Sequence, residues 1–303
     1  MQALAAYVMR GRSQAALVAS ASAVLSLLVP LLGILSAATV ALVTLRQGTT
    51  EGLVVGGFAG LASGLLVYLA LGSPLPAVGL ALALWLPVWV LAGVLRVTRR
   101  VDLTLRVGAL VGLLILVGVH LAVADPAAFW AELLEPLRQG LVEGQVMDET
   151  ASQAMMASIG RWMTAAFAAT FYFQMLLALL LGRWWQGLLY NPGGFGTEYR
   201  ALRIHPALGV LGLGLLLALM VGIGGQPIAE LLILLTPLYF LQGVAVVHGL
   251  AHGFKLARGW LVGFYALLLL AMPHAEILVA GLGLADTLVN VRARARPGGG
   301  QEE

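Results

Sequence analysis

Six side chains stand in stretches of the chain where hydrocarbon would make them costly: Gln174, Gln242, His248, His252, His274 and Glu276. A polar or ionisable group at membrane depth costs several kcal/mol unless it is partnered, so each invites a role in binding or proton transfer. His248 and His252 are four apart and share a helix face, alongside the broader position of Gln242. Their spacing is compatible with a metal, but no third ligand stands at a recognised offset and no His-Glu-x-x-His pattern exists. Substrate contact competes here with buried hydrogen bonding and with snorkelling beside Lys255. Gln174 needs an interhelical partner for its amide, either as packing glue or as a substrate contact. His274 and Glu276 follow Pro273 at a break in an apolar stretch. They read as a proton-linked switch or as the polar turn of an ordinary hairpin. Asp286 sits about two turns before a basic tail, a costly place for a carboxylate. His120 and Asp125 cap the end of one apolar stretch, and Glu230 opens another, where a helix dipole favours negative charge.

The chemistry stops short of a catalytic constellation. There is no P-loop, no Gly-x-Ser-x-Gly, no Rossmann fingerprint after a strand and no obvious pair of catalytic carboxylates. The absence of cysteine excludes disulfides, thiolate metal sites and cysteine nucleophiles. Enzyme function is disfavoured and no cofactor is expected. A small-molecule-binding or transport-related component is the favoured expectation, and a non-transporting assembly or lipid-interacting factor is the alternative. Basic residues are confined to short loops and the ends, so no nucleic-acid surface is read.

The elements that carry these residues are membrane helices. Of 303 residues, 60% are hydrophobic and 10% charged, against about 25% charged in soluble domains. With about 20 residues needed per crossing, single spans fall at 52–71, 74–94, 104–123, 161–182, 206–223 and 228–250. Two further stretches, 15–45 with Pro30 and Gly33, and 257–289 with Pro273, are long for one span and short for two. Arg10, Arg12, Arg46, Arg96, Arg99, Arg100, Arg106, Arg183, Arg200, Arg203, Lys255, Arg258, Arg292, Arg294 and Arg296 all face the cytoplasm by the positive-inside rule. That holds only if both broken stretches cross an even number of times, as two short helices or as a re-entrant hairpin. The expected fold is all-α: a polytopic transmembrane helical bundle of six to ten membrane segments with two proline-broken stretches. It forms one integral membrane domain, 1–291, with a short cytoplasmic tail, 292–303. Both termini are cytoplasmic, in a membrane of the bacterial inner-membrane kind.

Two loops are distinctive. The acidic segment 124–160 carries Asp125, Glu132, Glu135, Glu143, Asp148 and Glu149 against Arg138 and reads as external. Trp130, Leu133, Leu134 and Leu137 recur at helical spacing, so part of it is expected along the outer interface with Trp130 as anchor, either as plain amphipathic structure or as a lid over a pocket. Around Arg183, Trp184, Trp185 and Tyr190 an aromatic belt is expected, followed by the turn Asn191-Pro-Gly-Gly194. Arg183, Asn191, Gly194 and Arg200 also offer a docking or lipid-headgroup surface.

The stretch from Phe171 to Phe195, with Gly182-Arg-Trp-Trp-Gln-Gly187 and Tyr190-Asn-Pro-Gly-Gly194, resembles the signature of the proteobacterial branch of the YybS-like family of membrane proteins. Phe240-Leu-Gln-Gly-Val-Ala-Val-Val-His-Gly-Leu250 is similar to its second recognisable stretch. The family is distantly similar to the substrate-binding subunits of energy-coupling-factor vitamin transporters. Such subunits use an alanine stripe on the first helix to dock a membrane partner. Ala15, Ala19 and Ala23 form a stripe at i, i+4, i+8, and small residues let helix backbones approach closely. The resemblance therefore implies docking to a membrane protein partner, whereas composition alone gives chance recurrence of alanine. Gly56, Gly60 and Gly64 form a second stripe, for internal packing or a homo-oligomer contact.

Overall fold

The computed structural model describes residues 1–73 and 75–294. Pro74, which opens the expected span 74–94, and residues 295–303, which hold Arg296 and most of the expected tail, lie outside the described residues. Every regular element among the described residues is an α-helix. The first six are α1 (Gln2–Val8), α2 (Arg12–Leu25), α3 (Leu32–Gln47), α4 (Thr49–Leu71), α5 (Leu75–Leu84) and α6 (Leu86–Thr98). Then come α7 (Val101–Ala122), α8 (Pro126–Leu133), α9 (Glu135–Glu143), α10 (Glu149–Tyr190) and α11 (Gly194–Arg200). The last five are α12 (Pro206–Met220), α13 (Gly225–Gly253), α14 (Arg258–Leu270), α15 (His274–Val289) and α16 (Val291–Arg294).

Five helical segments are long and apolar enough to cross a membrane: Thr49–Ala70, Ala81–Thr98, Val101–Ala122, Glu149–Tyr190 and Gly225–Gly253. The chain is thus a multi-pass, all-helical membrane protein. The expected span 206–223 is the shorter α12, of 15 residues. The expected span 161–182 lies inside α10, whose 42 residues reach about 63 Å at 1.5 Å per residue. Both broken stretches are helix pairs. Residues 26–31 separate α2 from α3, and residues 271–273 separate α14 from α15. These four helices have 14, 16, 13 and 16 residues, about 20–24 Å each.

The chain packs as two compact units. Unit 1 comprises Met1–Gly108, Phe173–Ile204 and Ala245–Ala257; unit 2 comprises Ala109–Tyr172, His205–Val244 and the described residues from Arg258 onward.

In unit 1, α2 lies on α3, with Ser36 Oγ donating to the Ala19 carbonyl at 2.6 Å and Trp85 Nε1 donating to Ser36 Oγ at 2.9 Å. Interhelical side-chain hydrogen bonds in membranes average about 0.6 kcal/mol, so the two at Ser36 contribute on the order of 1 kcal/mol. Ala15, Ala19 and Ala23 are at most 1% exposed. This corrects the docking expectation: the alanine stripe is internal packing and presents no free surface. Arg12 grips Glu51 through Nε and Nη2 at 2.7 and 2.6 Å, and the pair raises the Arg12 pKa. Gly48, at φ +127°, separates α3 from α4 with a backbone conformation that a side chain would strain. Of the glycine stripe, Gly56 and Gly64 face open space and Gly60 lies 3.5 Å, measured from an added Cβ, from Trp85.

In unit 2, α13 and α15 meet backbone to backbone. A Cβ on Gly243 would collide with the Val279 carbonyl, and one on Gly283 with the Tyr239 carbonyl. Tyr239 donates to the Leu208 carbonyl at 2.7 Å, tying α12 to the pair. The acidic segment folds as α8, α9 and the first turns of α10. Asp125 caps α8 by accepting from Ala128 N, as its short acceptor side chain before Pro126 favours. Trp130 does not serve as an interface anchor. It is 8% exposed and donates to Thr164 Oγ1 at 2.8 Å, while Phe129, Leu133 and Leu137 form the exposed apolar side. Arg138 bridges Glu135 and Glu149 at 2.6 and 2.5 Å, and with Gln139 it holds the Glu135 carboxyl down to about 2.

Candidate functional site

The most polar cavity described lies in unit 1, where the ends of α3 and α6 meet α10 and α11. It encloses about 370 Å³ and is lined by Leu45, Leu95, Arg96, Arg99, Arg183, Gln186 and Glu198. Each wall has a local cause. The last carbonyls of a helix lack intrahelical donors. Arg96 Nη1 supplies one to Leu45 O at 2.7 Å, and Gln186 Nε2 approaches the same oxygen at 3.5 Å. Arg99 closes α6 in the left-handed region, at φ +55°, its amide bonded to Leu95 O at 2.8 Å. Arg183 is fixed by Glu198 at 2.9 Å and Gln186 at 2.5 Å.

The charges do not balance. Three arginines face one carboxylate, a formal excess of two positive charges in the lining. Arg96 is engaged in capping and Arg183 in an ion pair, but the exposed Arg99 guanidinium has no acceptor among the described residues. Planar guanidinium groups bind phosphate and carboxylate oxygens in pairs. A cavity of this size falls within the range that holds small molecules.

The sequence-selected residues scatter. Gln174 is half-buried with its amide nitrogen against Gly33, where an added Cβ would lie 3.1 Å away. His248 meets the Tyr199 ring edge-on at 6.3 Å, and His252 is exposed. His274 is exposed at the start of α15, with Glu276 in its first turn. None of these lines the arginine cavity; of the docking candidates, Arg183 does. Asn191 is exposed and accepts from Gly194 N through its carbonyl, while Arg200 Nη2 is 3.5 Å from Thr197 Oγ1. Trp185 is 0% exposed and belongs to the core rather than to an aromatic belt; Tyr190 is exposed, with Arg46 4.1 Å over its ring. Among the described residues, no three His, Asp or Glu side chains converge as metal ligands.

Two clusters in unit 2 join residues read separately in the sequence. Gln242 Nε2 donates to Asp286 Oδ2 at 2.6 Å, and Arg292 pairs with the same oxygen at 2.8 Å. His120 Nε2 lies 2.8 Å from Glu230 Oε2, and Gln226 Nε2 donates to Glu230 Oε1 at 2.9 Å. The signal for the second was available: His120 ends one span and Glu230 begins another on the same expected side. No family model matches this chain, and no curated protein or solved structure matches it either.

Proposed function

We propose that this membrane protein binds a small anionic molecule, bearing phosphate or carboxylate, in the arginine cavity of unit 1, as a transport-related component rather than an enzyme. The observation that carries the reading is Arg99, a guanidinium without an acceptor among the described residues, in a lining with excess positive charge. The ligand's anionic group bridges Arg99 and Arg183, while Arg96 stays on Leu45. A phospholipid headgroup offers the same chemistry, and the non-transporting, lipid-interacting reading rests on that. Replacing Arg99 and Arg183 with Glu is expected to weaken binding at least ten-fold, about 1.4 kcal/mol or more, as for a lost charge-assisted pair. The check is titration of the purified full chain with inorganic phosphate, and separately with short-chain phosphatidylglycerol. Binding of phosphate alone favours a soluble ligand, and binding of the lipid alone favours the rival. Equal affinities in wild type and the double variant sink the cavity as a site.

We propose further that the arginine end is cytoplasmic and that both helix pairs re-enter, leaving six crossings. Support comes from the tip of the α2–α3 pair, where Leu27, Leu28, Val29 and Leu31 are at least half exposed and wholly apolar, as a segment that stays in lipid requires. The chain has no cysteine, so single introduced thiols report cleanly. Arg99→Cys is expected to react with an impermeant maleimide in inside-out vesicles only, and Leu28→Cys in neither orientation. Labelling of Leu28→Cys from outside would convert the α2–α3 pair into two true crossings. With the alanine stripe buried, a membrane partner is left the segment from Arg183 to Arg203 as its contact.

A further inference from the structure

A second cavity, of about 360 Å³, lies in unit 2 and is lined by residues of α10, α12, α13 and the loop between the last two. Its chemistry is divided. Leu219, Ile223 and Ala229 form an apolar wall, Trp162 lies at one side, and Arg161 supplies a cation. Arg12, Arg100, Arg106, Arg138, Arg183 and Arg292 are all ion-paired to carboxylates. Arg161 is exposed and has no carboxylate partner among the described residues. Gln226 is uncharged and cannot neutralise it; its amide nitrogen donates to the Arg161 carbonyl and to Glu230, both at 2.9 Å. Glu230 is 4% exposed and is held on its other oxygen by His120. Met220, Val221 and Ile223 beside the cavity are 75, 69 and 62% exposed, a surface suited to hydrocarbon and not to water. Gly222, at φ +75°, lines the cavity with nothing within 4 Å of an added Cβ, so the wall is open there.

We propose that this cavity holds one anionic phospholipid, its phosphate on the Arg161 guanidinium and an acyl chain along Leu219 and Ile223. A free phosphate would leave the apolar wall without an occupant, and an uncharged lipid would leave Arg161 without a counter-charge. The site is separate from the arginine cavity of unit 1 and does not depend on the reading of that cavity. The test is native mass spectrometry of the full chain after stepwise delipidation, with phosphatidylglycerol or phosphatidylcholine as the probe. Wild type is expected to keep one Arg161-dependent phosphatidylglycerol beyond the point where bulk lipid is lost, and to keep phosphatidylcholine there less well. Arg161→Gln should lower that occupancy by about ten-fold, as for a lost charge-assisted pair, and Arg161→Lys should restore part of it. Ala229→Phe, which fills the cavity but keeps the cation, should lower it as well. The Arg99 and Arg183 charge reversals should leave it unchanged. Equal retention by wild type and Arg161→Gln overturns the proposal, as does loss caused by the Arg99 and Arg183 reversals instead. If Ala229→Phe fails to fold, the Gln and Lys variants at Arg161 still decide.

Discussion

Asp286→Ala is expected to lower stability by about 3–5 kcal/mol, the usual effect of removing one partner from a buried ion pair. The carboxylate is 0% exposed, and three donors converge on it. Gln242 Nε2 and the Arg292 guanidinium reach Oδ2 at 2.6 and 2.8 Å, and Arg292 N reaches Oδ1 at 3.3 Å. Asn290, in the left-handed region at φ +51°, turns the chain at the end of α15 so that Arg292 folds back onto the turn it has just left. Alanine removes the shared acceptor and takes the carboxylate away from a guanidinium that is only 13% exposed. Asp286→Asn keeps an acceptor oxygen and should cost less. Paired Asp286→Ala and Arg292→Met should recover part of the loss, because the uncompensated charge goes with the arginine. Thermal melting of purified protein in mild detergent checks all three. A melting temperature for Asp286→Ala equal to wild type would show that the pair contributes nothing net.

The helices were legible in the sequence because long apolar runs leave no other way to satisfy backbone groups in lipid. The five helical segments long and apolar enough to cross follow expected spans, while their ends do not. α10 begins at Glu149, twelve residues before the expected 161, because helix propensity continues through Ala151-Ser-Gln-Ala-Met-Met156 after the hydrophobic signal fades. Side-chain pairing was harder to read. Gln242 and His248 are six residues apart, which turns a helix by about 240° and places them on different faces, so the period itself separates that pair. Asp286 stood alone in the sequence because its partners come from α13 and from beyond the end of α15. The alanine stripe was correctly periodic, but periodicity cannot tell whether a partner protein or the chain's own next helix covers it; here α3 does, through Ser36. The arginine cavity draws on α3, α6, α10 and α11, and no linear spacing connects Arg99 to Arg183. Their shared side of the membrane was expected from charge, but their convergence belongs to the packing of unit 1.

Gly283→Val is expected to be nearly as damaging as loss of Asp286, through geometry instead of charge. The side chain of residue 283 would enter the space of the Tyr239 carbonyl and come within 2.6 Å of Gly243 N. These are backbone atoms of α13 and cannot rotate away, so the helices must separate. Overpacking of this kind costs about 1–3 kcal/mol and more when backbone must move. Separation has a second effect. Asp286 lies three residues after Gly283, and Gln242 three after Tyr239, so the close crossing is what brings the amide within 2.6 Å of the carboxylate. Widening the crossing lengthens that bond, and the Gly283→Val loss should already contain part of the Asp286 loss. The combined Gly283→Val, Asp286→Ala variant should therefore be destabilised by less than the sum of the two single changes. Full additivity in the melting series would mean that the glycine contact and the polar cluster are independent. Wild-type stability for Gly283→Val would mean that α13 and α15 do not touch at these positions in the membrane.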